Sequence, residues 1–136
     1  MTKAINKVCD VFISHAASEN GVASEIAAGL KSAGLEAFHV GMLEPGADIG
    51  DALWQALAEC RALIAIISPG APMPAMGMVE IGAAFGWNKP IFLLLNGPSS
   101  TRLPPGLDKY AVYPMSRLDE VIRSIQSSFE PLSENQ

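Results

Sequence analysis

Glu80 is the acidic residue whose neighbours best suit chemistry. It lies in the stretch Met78-Val79-Glu80-Ile81-Gly82-Ala83-Ala84, where small side chains leave room beside a carboxylate. On a helix such a carboxylate faces either a crevice or solvent, and for a lone helix glutamate solvent is the ordinary outcome. By position alone Glu80 therefore reads as a partly exposed helix residue. Ser14 and Ser68 each close an apolar run, where a hydroxyl either bonds a ligand or caps the next turn, and for each alone the cap is the simpler reading. His15 and His39 have no carboxylate fixed beside them by spacing, so both read as local hydrogen-bonding residues, not general bases. Trp54 sits at a helix position that reads as core, while Trp87, beside Asn88, is open. Cys9 and Cys60 lack CxxC or Cys/His zinc spacing and read as reduced thiols.

The elements that would position these groups alternate strand and helix. Val8–Ser14 is rich in β-branched and aromatic residues and reads as a first strand. Val22, Ile26 and Leu30 mark a helix over Glu19–Ala33, with Gly34 placed as its C-terminal cap. Leu35–Val40 supplies a second strand, and Gly41–Gly50, with three glycines and Pro45, reads as a long exposed loop. Ile49, Leu53 and Leu57 mark a second helix before the apolar run Leu63–Ile67. Met78, Ile81 and Phe85 mark a third helix before the run Ile91–Leu95. Continuous apolar runs are characteristic of strands covered on both faces, hence of a parallel sheet. Tyr110–Tyr113 is a weaker fifth strand. Leu118, Val121, Ile122, Ile125 and Phe129 trace an amphipathic helix with Ser116 as its N-cap.

Right-handed crossovers between such elements lead to a flavodoxin-like, doubly wound, five-stranded parallel sheet in the order 2-1-3-4-5. One domain over 1–136 is expected, with its core at 8–130 and frayed ends at 1–7 and 131–136. In this fold ligands bind beyond the carboxyl ends of the strands, where strand order reverses. The loops concerned are Ser14–Asn20, Gly41–Gly50 and Ser68–Met76. Lys31, Arg61, Lys89 and the other cations all lie outside these loops, so backbone N–H groups near Ala17–Gly21 or a neighbouring subunit are left to bind an anion.

Composition narrows the classes. With 17% charged residues and a formal charge of -5, the 136-residue chain lacks the basic footprint of a nucleic-acid binder. No apolar run approaches the ~18 residues of a membrane helix, and Met1–Lys7 lacks a signal-peptide core. The expectation is a cytoplasmic protein without nucleic-acid or membrane partners.

Cys9-Asp10-Val11-Phe12-Ile13-Ser14-His15 resembles the opening box of TIR domains. Glu44-Pro45-Gly46 falls where that family carries Pro-Gly in the loop after strand two. Ser68-Pro69 falls where it carries Ser-Pro after strand three, and Lys89-Pro90-Ile91 resembles the start of its fourth strand. The resemblance spans Val8–Tyr113. In TIR domains that cleave NAD+, the catalytic glutamate sits twelve residues beyond the serine of that Ser-Pro pair, a step that lands here on Glu80. The resemblance thus implies Glu80 as the catalytic residue, with Ser14, His15, Ala16, Glu44, Pro45, Gly46, Ser68 and Met76 around the substrate. Two positions depart from the family pattern: Met76 stands where a Trp is common, and Val40 where an Asp is common.

One carboxylate suits this reaction. Glycosidases usually pair two carboxyl groups because a sugar alkoxide leaves poorly. The nicotinamide of NAD+ is already cationic and departs neutral, so a single carboxylate that stabilises the oxocarbenium-like transition state suffices. NAD+ would be a substrate, with no cofactor or metal. The products would be ADP-ribose or a cyclic ADP-ribose signal read by a downstream effector. Self-association with other TIR domains is implied as well. With no receptor or death domain in these residues, a stand-alone bacterial immune-signalling protein in antiviral defence is expected. A second reading is a non-catalytic adaptor that binds other TIR domains through Gly41–Gly50. A third is an enzyme like the nucleoside deoxyribosyltransferases, whose glutamate helix Met78–Ala84 also resembles. Their leaving bases usually need an acid, and none is clearly placed.

Overall fold

The computed structural model describes residues 9–42, 49–70 and 73–129. The expected frayed ends, and Val8 at the start of the first strand, lie outside the described residues. The elements run β1 (Val11–Ser14), α1 (Asn20–Ser32), β2 (Ala37–Phe38), α2 (Ile49–Glu59), β3 (Ala62–Ile67), α3 (Ala75–Gly86), β4 (Ile91–Leu95), β5 (Val112–Pro114) and α4 (Leu118–Phe129). The sheet has five strands in the order β2-β1-β3-β4-β5, every neighbouring pair parallel. Strand order reverses between β1 and β3, as the pattern of apolar runs predicts.

The runs are continuous because both faces of the central strands are covered. All six residues of β3 and all four of β1 are buried. Side chains alternate across the sheet. Val11, Ile13, Ile64 and Leu94 pack with Ile26 and Leu30 of α1 and Val121 and Ile125 of α4. Phe12, Leu63, Ala65 and Leu93 pack on the other face with Leu53 and Leu57 of α2 and Ile81 and Ala84 of α3. Gly34 ends α1 as expected: it takes φ +85°, its N–H donates to the Lys31 carbonyl and the Leu35 N–H reaches back to Leu30, both at 2.9 Å. Both cysteines are free thiols, and burial pushes that of Cys9 up to about 12.

Four details differ from the sequence reading. β2 is two residues long instead of six, because the chain turns into a 3-10 segment at Val40–Met42. β5 starts at Val112, since Tyr110 packs into the apolar cluster beside Leu107. Ser116 is not an N-cap; it lies inside a 3-10 turn, Met115–Arg117, that begins after Pro114. Trp54 is not core. Leu53, Ala56 and Leu57 form the buried stripe of α2, and Trp54 turns about 100° away from Leu53, leaving it 40% exposed.

Leu57 is fully buried beneath α2. Leu57→Ala should therefore lower the unfolding free energy by about 2–5 kcal/mol. Trp54→Ala, on the outer side of the same helix, should cost less than about 1 kcal/mol. Denaturant midpoints of the two variants check this, and equal losses would put Trp54 in the core after all.

Candidate active site

The reversal point places the ends of β1 and β3 side by side, with Ser14 registered against Ala65. Pro74, in an extended conformation, precedes α3 and sends it back along the sheet. Glu80 lies on the inner side of that helix and is 5% exposed, so the sequence reading of a partly exposed glutamate is corrected. Its Oε1 accepts a hydrogen bond from Ser14 Oγ at 2.7 Å, across 66 residues of sequence. Ser14 is itself 1% exposed, so its hydroxyl serves this carboxyl and does not cap the following turn. Burial raises the Glu80 carboxyl above the usual carboxylate range, and the Ser14 hydroxyl offsets part of that rise. No cationic side chain pairs with Glu80 among the described residues.

The room at this site comes from a different glycine than the sequence suggests. Gly82 faces open space, whereas a Cβ on Gly77 would run into the Met73 side chain and sit 3.3 Å from Ser14 Oγ. Gly77, one turn before Glu80, leaves room for the Met73 side chain next to Ser14 at the end of β1. Met76, one turn before Glu80, lies at the margin of the buried face of α3 and is 39% exposed.

His15 and His39, read separately as local hydrogen-bonding residues, are partners. His15 Nδ1 lies 2.7 Å from the Ala16 carbonyl, so it must carry the proton, which leaves Nε2 to accept from His39 Nδ1 at 3.3 Å. The rings meet edge-on. His39 is 2% exposed, and burial first, then the His15 neighbour, push it below the usual histidine range. Gly41 packs against Asn20 and His39 so closely that a Cβ would collide with both. Glu44, Pro45 and Gly46 lie outside the described residues.

Ala16 leads into a 3-10 turn, Ala17–Glu19, ahead of α1. The Glu19 N–H is taken by the Ala16 carbonyl and that of Asn20 by the Ala17 carbonyl. Glu19 Oε1 accepts from Asn96 Nδ2 at 3.0 Å, a link to the end of β4. Two of the expected anion-binding N–H groups are therefore occupied, and a carboxylate stands beside them.

Ser68 shares no hydrogen bond with Ser14 or Glu80. It lines a cleft of about 460 Å³ with Met73, Met78, Leu103 and Pro105, and Arg102 lies at its edge. Ser68 is buried and its Oγ has no partner among the described residues. Sequence reasoning missed Arg102 because it counted only the loops next to the reversal point. The usable signal was that Thr101–Pro105 also follows the carboxyl end of a parallel strand, and every such loop opens on the same sheet edge. Trp87 is the C-cap of α3, half exposed, with Lys89 Nζ 5.7 Å from its ring centroid.

The arrangement is a buried carboxyl group, without a cationic partner among the described residues, at the carboxyl end of a doubly wound parallel sheet. It suits a ligand that brings or develops positive charge. Solved structures with the same fold include the TIR domain of the Toll-related receptor TRR-2 from Hydra magnipapillata, at TM-score 0.68 and 18% identity, covering 87% of this chain and 98% of that one. A metazoan TIR-STING receptor from C. gigas, solved in complex with 2',3'-cGAMP, matches at TM-score 0.71 and 21% identity over 85% of this chain. The chain spans only 38% of that receptor's length. No curated protein matches. The profile of the TIR domain matches residues 11–122, from the first residue of β1 into α4, and the chain belongs to the TIR-domain family.

Proposed function

We propose that this TIR domain cleaves the N-glycosidic bond of NAD+ with Glu80 as its catalytic carboxylate. The observation that carries the reading is the buried Glu80 carboxyl, bonded to Ser14 and lacking a cation among the described residues. An anion held there is costly unless a positive charge arrives with the ligand. The pyridinium of NAD+ and the oxocarbenium-like sugar that follows both supply one. The C1'–N bond breaks with its electron pair going to the nicotinamide nitrogen, which becomes neutral without protonation. Water then adds to C1' and gives its proton to the Glu80 carboxylate, yielding ADP-ribose, or an adenine nitrogen closes the cyclic product. Ser14 orients the carboxylate and helps keep it ionised. We assign His15, Ala16 and Met76 to the border of this site, and Glu44, Pro45 and Gly46 to the substrate contacts that the family resemblance implies. A nucleotide product would act as a signal for a downstream effector in antiviral immunity.

The adaptor reading has its own support in an exposed apolar stripe formed by Met76 and Val79 of α3 and Trp87 at its C-cap, which are 39–49% exposed. This stripe suits contact with another TIR domain, and self-association is compatible with either reading.

Glu80→Gln should lower nicotinamide release by at least about a hundredfold to a thousandfold. The same variant should gain stability at neutral pH. A buried acid whose pKa is raised binds its proton more tightly when folded, so its ionisation destabilises the fold as pH rises through that raised value. The thermal midpoint of Glu80→Gln should therefore match that of the parent in acid and exceed it above the raised value. A variant that still cleaves NAD+ at the parental rate would leave Glu80 without a catalytic role and favour the adaptor.

Ser14→Ala removes the one contact that lowers the Glu80 pKa. The acidic limb of the kcat/KM profile, along which activity rises as Glu80 ionises, should move to higher pH. A limb that stays in place would mean that a group other than Glu80 governs it.

A further inference from the structure

The cleft behind Met73 is separate from the Glu80 carboxyl but adjoins it. Met73 packs at Gly77, which also faces Ser14, and the same side chain lines the cleft. One thioether side chain thus touches both spaces. At about 460 Å³ the cleft lies within the roughly 300–1,000 Å³ of small-molecule sites. Its walls are thioethers, a leucine and proline rings, which suit the flat face of a heteroaromatic base.

Two polar groups in the cleft are unused. Ser68 is a buried hydroxyl with no partner among the described residues, and buried hydroxyls are rarely left so. Arg102 makes no hydrogen bond, ion pair or ring contact among the described residues. Arg61 holds Asp10 and covers Phe129, Lys89 binds backbone carbonyls, and Lys109 covers Phe85. Arg117 and Arg123 are paired with Glu120 and Asp119. In an acidic chain, an exposed guanidinium without a partner among the described residues lines an apolar cleft that also contains a hydroxyl without one. An arginine fork and a hydroxyl are a natural donor set for phosphate oxygens.

We propose that this cleft binds a nucleoside diphosphate group, with the base between Met73, Met78 and Leu103 and the phosphates on Arg102 and Ser68. Resting on the NAD+ reading, this group is the half of the dinucleotide beyond the reacting ribose, and the substrate passes over Met73 to reach Glu80. The domain then supplies a cation for the pyrophosphate from its own loop after β4, not from a neighbour.

The test uses ADP as the probe, with the methionine methyl resonances of the whole chain as the readout. ADP should shift Met73 and Met78, and Arg102→Glu should weaken its binding by at least about tenfold. Arg102→Gln should give a smaller loss, and both replacements are at an exposed position that the fold does not use. The KM for NAD+ should rise in Arg102→Glu with kcat nearly unchanged. ADP that leaves both methionines unmoved at millimolar concentration, or that binds Arg102→Glu as tightly as the parent, overturns the proposal. A parent that binds ADP through Arg102 but releases no nicotinamide keeps the cleft and removes the Glu80 reading. Nicotinamide release with an unchanged KM in Arg102→Glu does the reverse.

Discussion

A carboxyl group taken out of water at the edge of a sheet constrains its whole neighbourhood. Glu80 is 5% exposed, and its hydrogen bond among the described residues comes from Ser14. That bond needs β1 to end at Ser14 and α3 to lie against β1, and Gly77 leaves the space that the Met73 side chain fills beside Ser14. Apolar packing of Ile81 and Ala84 supports this approach against the ionisation it disfavours. Folding energy from the core is thus used to hold a carboxyl in an unfavourable setting, a common arrangement at functional sites.

Around this group the edge of the sheet is held by polar links between elements far apart in sequence. His39 donates to His15 and ties the end of β2 to that of β1. Asn96 donates to Glu19 and ties the end of β4 to the turn before α1. The first link also fixes both imidazole tautomers, since the Ala16 carbonyl claims the other nitrogen of His15. Two protonated rings would turn N–H against N–H, which accords with the lowered pKa of His39. These contacts hold the strand ends in place, while the apolar face of α3 that carries Met76 and Val79 stays exposed.

The charge distribution follows the same division. Arg61 and Lys89 are engaged near the opposite edge of the sheet, where Arg61 pairs with Asp10 and Lys89 binds the carbonyls of Ala58 and Cys60. Arg102 alone stands at the cleft beside Ser68. Glu80 is not among the residues that line this cleft, so the carboxyl and the guanidinium belong to neighbouring spaces, a polarity that fits a ligand positive at one end and negative at the other.

Sequence by itself determined the topology. The runs in β3 and β4 had to be covered on both faces, and the helix stripes between the first four strands and after the fifth led to the observed strand order. The spacing from Ser68 to Glu80, together with the resemblance of the opening box, singled out the carboxylate. Local pattern misjudged Ser116 and Trp54, where small rotations along a helix or turn decide exposure. It also assigned the needed space to Gly82 when Gly77 provides it. Only the tertiary structure decided that Glu80 is buried, that Ser14 is its donor, that the two histidines are one pair and that Arg102 lines the cleft with Ser68. Each of these depends on contacts between residues 24 to 66 positions apart or on the approach of separate loops. Periodicity reports which face of an element is apolar, but it does not encode which polar groups meet when the faces close.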